Sequence, residues 1–168
     1  MNNQELQELI VKKIKENSPD AIISTNEYRG EFSLLLNKAN IVQVCKLLKE
    51  DPEFQFILCE DVSGVDWARR KNRFSVVYHI FSFKLRYRLR LKVDVDESDL
   101  NVDSVSSVWE TANWHEREAY DMFGIIFNNH PDLRRMYMPE DFEYYPLRKE
   151  FPLMGIPGSQ PLPKKERT

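Results

Sequence analysis

The sequence is poor in the residues that small-molecule chemistry uses most. It has two cysteines, three histidines and five glycines in 168 residues. Cys45 and Cys59 are too few for a cluster site, and each falls in a periodic apolar segment, where a cysteine behaves as a small hydrophobe. There is no glycine-rich phosphate loop, no dinucleotide fingerprint, no Gly-x-Ser-x-Gly and no Cys-x-x-Cys. No apolar run approaches the roughly 20 residues of a membrane helix, and the opening MNNQELQELI lacks the basic patch and apolar core of a signal peptide. The expectation is a soluble chain that stays where it is made. Neither sign of charge dominates either: 24 basic residues face 27 acidic ones, a net of -3, which makes no case for nucleic acid.

What is present is a core. Hydrophobic residues make up 42% of the chain, enough for one domain that folds without disulfides. Leu6, Leu9, Ile10 and Ile14 form one helical stripe, which Ser18-Pro19 ends. Ala21 to Thr25 and Glu31 to Leu36 read as a hairpin around Gly30. Asn40 is placed to cap a second helix with the stripe Ile41, Val44, Cys45 and Leu48, closed by Asp51-Pro52. Three strands follow, at Phe54 to Trp67, Phe74 to Phe83 and Leu85 to Val95. Phe74 to Phe83 is apolar on both faces, as in a strand buried on both sides or covered by a partner. In the last strand Leu85, Tyr87, Leu89, Leu91, Val93 and Val95 alternate with Arg86, Arg88, Arg90, Lys92 and Asp94, so one face is core and the other polar. That cationic face reads as a solvated surface paired to acids on neighbouring strands; a nucleic-acid platform is the sharper alternative, which salt-dependent retention on DNA would reveal. Val105, Val108, Trp109, Ala112, Glu116, Ala119, Tyr120 and Phe123 predict the longest helix, capped by Asp103 or Ser104 and ended by Gly124. The order of elements predicts an α+β body over residues 1–127, an antiparallel sheet with helices packed mainly on one face.

After Phe127 the composition changes. Seven of the nine prolines and three of the five glycines lie in the last 45 residues, with Phe127, Tyr137, Phe142, Tyr144, Tyr145 and Phe151 among them. Prolines forbid a long helix or central strand, yet so many aromatics do not suit a solvated linker. Residues 128–168 are therefore expected to be an extended docking tail, with Tyr137 to Leu153 ordered only against a partner, Arg148 and Lys149 meeting acids there, and only Pro161 to Thr168 disordered. Residues 146–168 carry a net charge of +3, leaving -6 on the rest.

The densest polar stretch is Trp114-His115-Glu116-Arg117-Glu118-Ala119-Tyr120-Asp121. Helical spacing predicts an Arg117–Asp121 ion pair and makes His115 and Glu118 neighbours, while Glu118 and Asp121 share a side. Glu116 falls inside the apolar stripe, so its carboxylate must be partnered, protonated or turned to an interface. A metal site would need further ligands at matching spacing, but His79, His115 and His130 sit on different elements. A hydrolase would need two acids across a cleft, and nothing marks one. A structural charge network or an interface patch is the better reading, and the basic, aromatic tail favours the interface.

Three motifs then carry a resemblance. Glu116-Arg117-Glu118-Ala119-Tyr120-Asp121-Met122-Phe123-Gly124, His130-Pro131-Asp132-Leu133-Arg134-Arg135 and Tyr145-Pro146-Leu147-Arg148-Lys149-Glu150-Phe151-Pro152-Leu153 resemble, in order and spacing, the signature of the thirty-kilodalton subunit family of respiratory complex I, the C subunit of NADH-quinone oxidoreductase. The resemblance implies a subunit of the peripheral arm of a proton-pumping NADH:quinone oxidoreductase, held at the cytoplasmic face of the cell membrane only through the complex. It implies no cofactor or metal on this chain: FMN and iron-sulfur clusters belong to partner subunits, and NAD and quinone are substrates of the whole. It implies a tail that wraps the forty-nine-kilodalton-type subunit near a cluster-bearing neighbour and the quinone site. The partner interface it implies is Glu116, Arg117, Glu118 and Asp121 on the helix, His130, Pro131, Asp132, Arg134 and Arg135 after it, and Tyr145, Pro146, Leu147, Arg148, Lys149, Phe151 and Pro152 in the tail. The chain resembles the unfused form of the subunit. Met138-Pro139-Glu140 resembles relatives in ferredoxin-dependent complexes, one alternative; a stand-alone acid/base enzyme using Glu116, Glu118 and Asp121 is the other.

Overall fold

The computed structural model describes residues 2–69, 71–153 and 155–156. The expectation that Pro161 to Thr168 is disordered lies outside them. Helix α1 (Asn3–Asn17) opens with a capping box, in which the Asn2 side chain accepts from Glu5 N at 2.7 Å and the Glu5 carboxylate accepts from Asn2 N at 2.9 Å. Ser18 ends it, as the following proline requires. Strands β1 (Ile22–Tyr28) and β2 (Glu31–Leu36) form the expected hairpin. Its two-residue loop has positive φ at both Arg29 (53°) and Gly30 (78°), the turn whose twist matches the strands. Helix α2 (Ile41–Glu50) buries Ile41, Val44, Cys45 and Leu48. Asn40 makes no side-chain cap there; Asn37 instead accepts from Ala39 N at 3.2 Å and starts a single 3-10 turn that leads into the helix.

Strands β3 (Leu58–Asp66), β4 (Phe74–Ser82) and β5 (Tyr87–Val95) complete a five-stranded sheet of order β1-β2-β5-β4-β3. β3, β4 and β5 pair antiparallel, but β2 and β5 run parallel, with Ser33 opposite Arg90 and Leu36 opposite Val93. The sheet is thus mixed, not antiparallel throughout. The long connection through α2, β3 and β4 lets β5 lie beside β2 in the same direction, a crossover that side-chain alternation cannot reveal.

Leu34, Val76, Tyr78, Ile80, Leu89, Leu91 and Val93 from the sheet join Ile10, Ile14, Val44, Leu48, Ala112 and Ala119 from the helices in one buried cluster, which places the helices on one face. The other face carries the cations of β5. Arg88 is bidentate on Glu60 (2.5 and 2.9 Å), and Arg90 pairs with Glu31 and donates to His79 at 2.9 Å. This is the solvated, acid-paired surface expected from the alternation. Both cysteines are buried thiols, and burial pushes Cys59 up to about 12.

The segment after β5 differs most from its sequence pattern. Strand β6 (Asn101–Asp103) pairs parallel with β7 (Ile126–Asn128), and helix α3 runs only from Ala112 to Phe123. The stripe from Val105 is real, since Val105, Val108 and Trp109 are all buried, but residues 105–109 form a separate turn closed by Val108 and Trp109 N–H on Val105 O. α1, with 15 residues, is the longest helix. Gly64 on β3 makes room for α3: a Cβ there would stand 2.5 Å from the Phe123 ring.

Candidate functional site

Three carboxylates that fall at core-facing positions of their elements organise this end of the molecule. Glu116, on the buried side of α3, is fully enclosed. Its Oε1 accepts from Val105 N at 2.7 Å and its Oε2 from Ser104 Oγ at 2.5 Å, which ties down the turn ahead of the helix. Burial pushes its carboxyl up to about 7, against the two hydrogen bonds that favour its charge. The buried His130 ring lies 3.9 Å away; its Nδ1 accepts from Asp132 N at 3.0 Å and its Nε2 lies 3.1 Å from Asn113 O. Glu116 therefore finds its donors inside the chain.

Asp121, one turn further on, holds the start of the tail. Its Oδ2 accepts from the backbone N–H of Met136, Tyr137 and Met138 (3.0, 2.7 and 3.0 Å), and its Oδ1 pairs with Arg135 at 2.7 Å. Burial alone would raise its pKa, but these three N–H groups and the guanidinium outweigh that and hold it below the ordinary value. The expected pair with Arg117 is not made. Arg117 instead donates to the Arg134 and Arg135 carbonyls and lies over the Trp114 ring. Glu118 is exposed, so it does not share the buried side that Asp121 occupies.

Asp66 ends β3 on its core face, and the sequence reading passes over it, although Val62, Gly64 and Asp66 share one side of a strand. It receives Arg73 bidentately (3.0 and 2.7 Å), Ala68 N at 2.8 Å and Lys149 N at 2.9 Å. The Arg73 guanidinium holds its carboxyl well below the usual range.

The tail closes over the C-terminal end of α3. Leu147 N donates to Met122 O at 3.2 Å and Arg148 Nε to Phe123 O at 2.7 Å, so helix carbonyls without an intrahelical donor are met by tail groups, one a cation. Arg148 also lies over the rings of Tyr145 (4.5 Å) and Phe74 (5.1 Å). Gly124 at φ 77° is the helix cap and leaves space for this closure: a Cβ would meet Tyr145 at 2.7 Å and Arg148 at 2.8 Å. Arg135 reaches the Phe142 and Tyr144 carbonyls, and Phe142, Tyr144 and Phe151 pack edge to face or tilted.

The described part of the tail therefore has a seat on its own body, built from Asp121, Asp66 and the last carbonyls of α3. The physical reason is the supply of unmatched carboxylate oxygens and helix carbonyls that the body presents. The acids near Arg148 are Glu97 and Glu150 of the same chain, and Lys149 contributes its backbone N–H to Asp66. The large apolar side chains that the docked tail leaves exposed are Tyr137 (59%), Tyr144 (44%), Leu147 (52%) and Leu153 (100%), together with Trp114 (60%) on α3, and charged ones such as Arg134, Glu140 and Lys149 lie exposed among them. Pro131, Asp132 and Pro152 are exposed with them, while Tyr145, Pro146 and Phe151 are half-buried. Among the described residues no group of three or more His, Cys, Asp or Glu could hold a metal ion, and no helix is long and apolar enough to cross a membrane.

Residues 34–157 match the family described as respiratory-chain NADH dehydrogenase, 30 kDa subunit. The chain is 47% identical over 144 residues to the C subunit of NADH-quinone oxidoreductase from Roseiflexus sp. (strain RS-1), covering 86% of this chain and 83% of the relative. It is 47% identical over 151 residues to that of Geotalea uraniireducens (strain Rf4), covering 90% of each. Among solved structures it resembles Nqo5 in a trypsin-resistant fragment (TM-score 0.62, 26% identity, 76% of this chain and 98% of that one). It also resembles a chain of the membrane-bound sulfane sulfur reductase, an archaeal respiratory membrane complex (TM-score 0.71, 25% identity, 88% and 86%).

Proposed function

The chain belongs to the respiratory-chain NADH dehydrogenase 30 kDa subunit family, and from that premise we propose that it is a cofactor-free scaffold in the peripheral arm of an NADH:quinone oxidoreductase. Its body and tail together grip the forty-nine-kilodalton-type subunit beside a cluster-bearing neighbour, at the cytoplasmic face of the membrane. FMN, the iron-sulfur clusters and the NAD and quinone sites belong to other subunits, and the isolated chain turns over nothing. The observation that carries this reading is the use of the motif residues: Glu116 and Asp121 are consumed by the chain's own backbone instead of lining an open cleft. The acid/base enzyme is disfavoured for the same reason. The site assembles a surface instead, in which the motif residues Asp121, Arg135 and Arg148 fix the tail and Glu116 fixes the turn ahead of α3. Pro131, Asp132, Arg134, Leu147, Lys149 and Pro152 then face the partner, beside exposed apolar rings and Leu153.

The test is genetic complementation read in two ways. Cells lacking the chain should lose membrane-bound NADH:quinone reductase activity. Variants of the tail should restore it in proportion to the amount of assembled complex, with turnover per complex unchanged. A variant such as Glu116→Gln or Asp121→Asn that assembles fully while turnover per complex collapses would place the cluster in the chemistry and remove the scaffold assignment.

A further inference from the structure

Of the three buried charges on α3, two are matched within the chain and one is not. Glu116 has Ser104 and Val105, and Asp121 has Arg135. Arg117 is nearly as enclosed as they are, at 7% exposure, yet among the described residues no carboxylate lies within 4 Å of its nitrogens. Its guanidinium meets only the Arg134 carbonyl (3.2 Å), the Arg135 carbonyl (3.3 Å) and the face of Trp114 (4.8 Å). A buried cation without a counter-charge is costly, and carbonyl dipoles with an aromatic face offset only part of that cost.

Arg117 also lines an open cleft of about 520 Å³ between α3 and the start of the tail, with Ser106, Asn113, Trp114, Pro131 and Arg134 around it. Glu110 and Asp132 line it as well, and Asp132 is already held by Arg134 at 3.0 Å. The cleft thus offers a desolvated guanidinium, a flat indole wall that is 60% exposed, and the hydroxyl and amide groups of Ser106 and Asn113.

We propose that this cleft is the socket for an aspartate or glutamate side chain of the neighbouring subunit, which enters beside Trp114 and pairs with Arg117. The proposal rests on the scaffold reading, since it names the chemistry of one contact in that interface. A planar carboxylate fits the guanidinium fork in a way that water or chloride does not. The indole shields the pair from solvent, which is the setting in which an interfacial ion pair contributes to affinity.

The test uses the assembled complex, captured through a tag on this chain. R117Q removes the charge but keeps a donor for the Arg134 and Arg135 carbonyls, so the isolated variant should melt at or above the wild-type temperature while its retention of partner subunits falls roughly tenfold or more. W114A, a change at an exposed rim, should weaken retention without affecting the fold. In the complex formed by R117K, a water-soluble carbodiimide should join the new amine to a carboxyl of another subunit through an amide bond with loss of water, and peptide mass spectrometry should identify that acid. Retention of R117Q equal to wild type would overturn the proposal. So would a cross-link to Glu110 or Asp132 of the same chain alone, or a lowered melting temperature of R117Q with unchanged retention per folded chain. Wild-type chain that captures no partner at all would instead overturn the scaffold reading itself.

Discussion

Replacing Asp121 by Asn probes the joint between body and tail. One carboxylate oxygen now serves three backbone N–H groups and the other the Arg135 guanidinium. An asparagine keeps one of these acceptors and must turn its NH2 toward donors on the other side. Hydrogen bonds to a charged acceptor are about twice as strong as neutral ones, so three weakened bonds cost roughly 0.5–1 kcal/mol each. Arg135 retains carbonyls and the Phe142 and Tyr145 rings but no carboxylate, and removing one partner of a buried ion pair typically costs roughly 3–5 kcal/mol. The two losses overlap, because a single charge supplies both, so the total expected is about 3–5 kcal/mol, or a melting temperature lower by about 10 °C for a domain of this size. Denaturant unfolding of the isolated chain measures the first quantity. Hydrogen exchange at the amides of residues 136–138 locates it, because protection there depends on the carboxylate. The effect has a pH signature: Asp121 ionises below its ordinary value, so its contribution is present above the unfolded pKa of about 3.9 and is lost as pH falls through the folded one. The variant and wild type should converge in acid. A loss at neutral pH under about 0.5 kcal/mol, the scale of an ordinary surface substitution, with amides 136–138 as protected as before, would refute the reasoning.

Other perturbations follow from the same contacts. Glu116→Gln should reverse the usual pH trend: because burial raises its carboxyl to about 7, wild type holds an extra proton when folded and loses stability as pH rises from about 4.5 to 7. The neutral variant should therefore gain on wild type by about 2–3 kcal/mol between pH 4.5 and 8, read by denaturant midpoints; a gap independent of pH would show that burial does not control this group. Asp66→Asn, which leaves Arg73 without its bidentate acid and weakens the Lys149 bond, should cost roughly 3 kcal/mol and lower the melting temperature. Gly64→Ala places a methyl group against the Phe123 ring and should cost about 1–3 kcal/mol by overpacking, measured in the same way.

How far the sequence foretells this molecule depends on whether the deciding interaction is local. The stripe of α1, the stop at Ser18-Pro19, the β1–β2 hairpin and the alternation of β5 are set by neighbours a few residues apart, and all are found where the pattern puts them. The parallel β2–β5 pair depends on a crossover of some fifty residues, and no period encodes it. The break in the stripe ahead of Ala112 is invisible for a related reason. An isolated turn at 105–109 keeps the helical phase of its apolar residues, and what separates it from α3 is a side chain eleven residues away, Glu116 on Val105 N. Glu116 stands out in the sequence because an acid in an apolar stripe is anomalous. Asp66 carries the same anomaly on a strand, at period two, where a single acid after an apolar run looks like a strand end. Arg117 escapes a local reading because helical spacing offers it Asp121, whereas the fold offers Asp121 four donors from the tail.

The central claim is that residues 130–153, seated on the end of α3, form the surface by which this chain enters the complex. The direct measurement is the set of proteins captured through a tag on the N-terminus, compared between the full chain and one ending at Asn128. The full chain should bring down the forty-nine-kilodalton-type subunit and its cluster-bearing neighbour in equal amounts, and the shortened chain neither. Capture of the same set by the shortened chain would contradict the account.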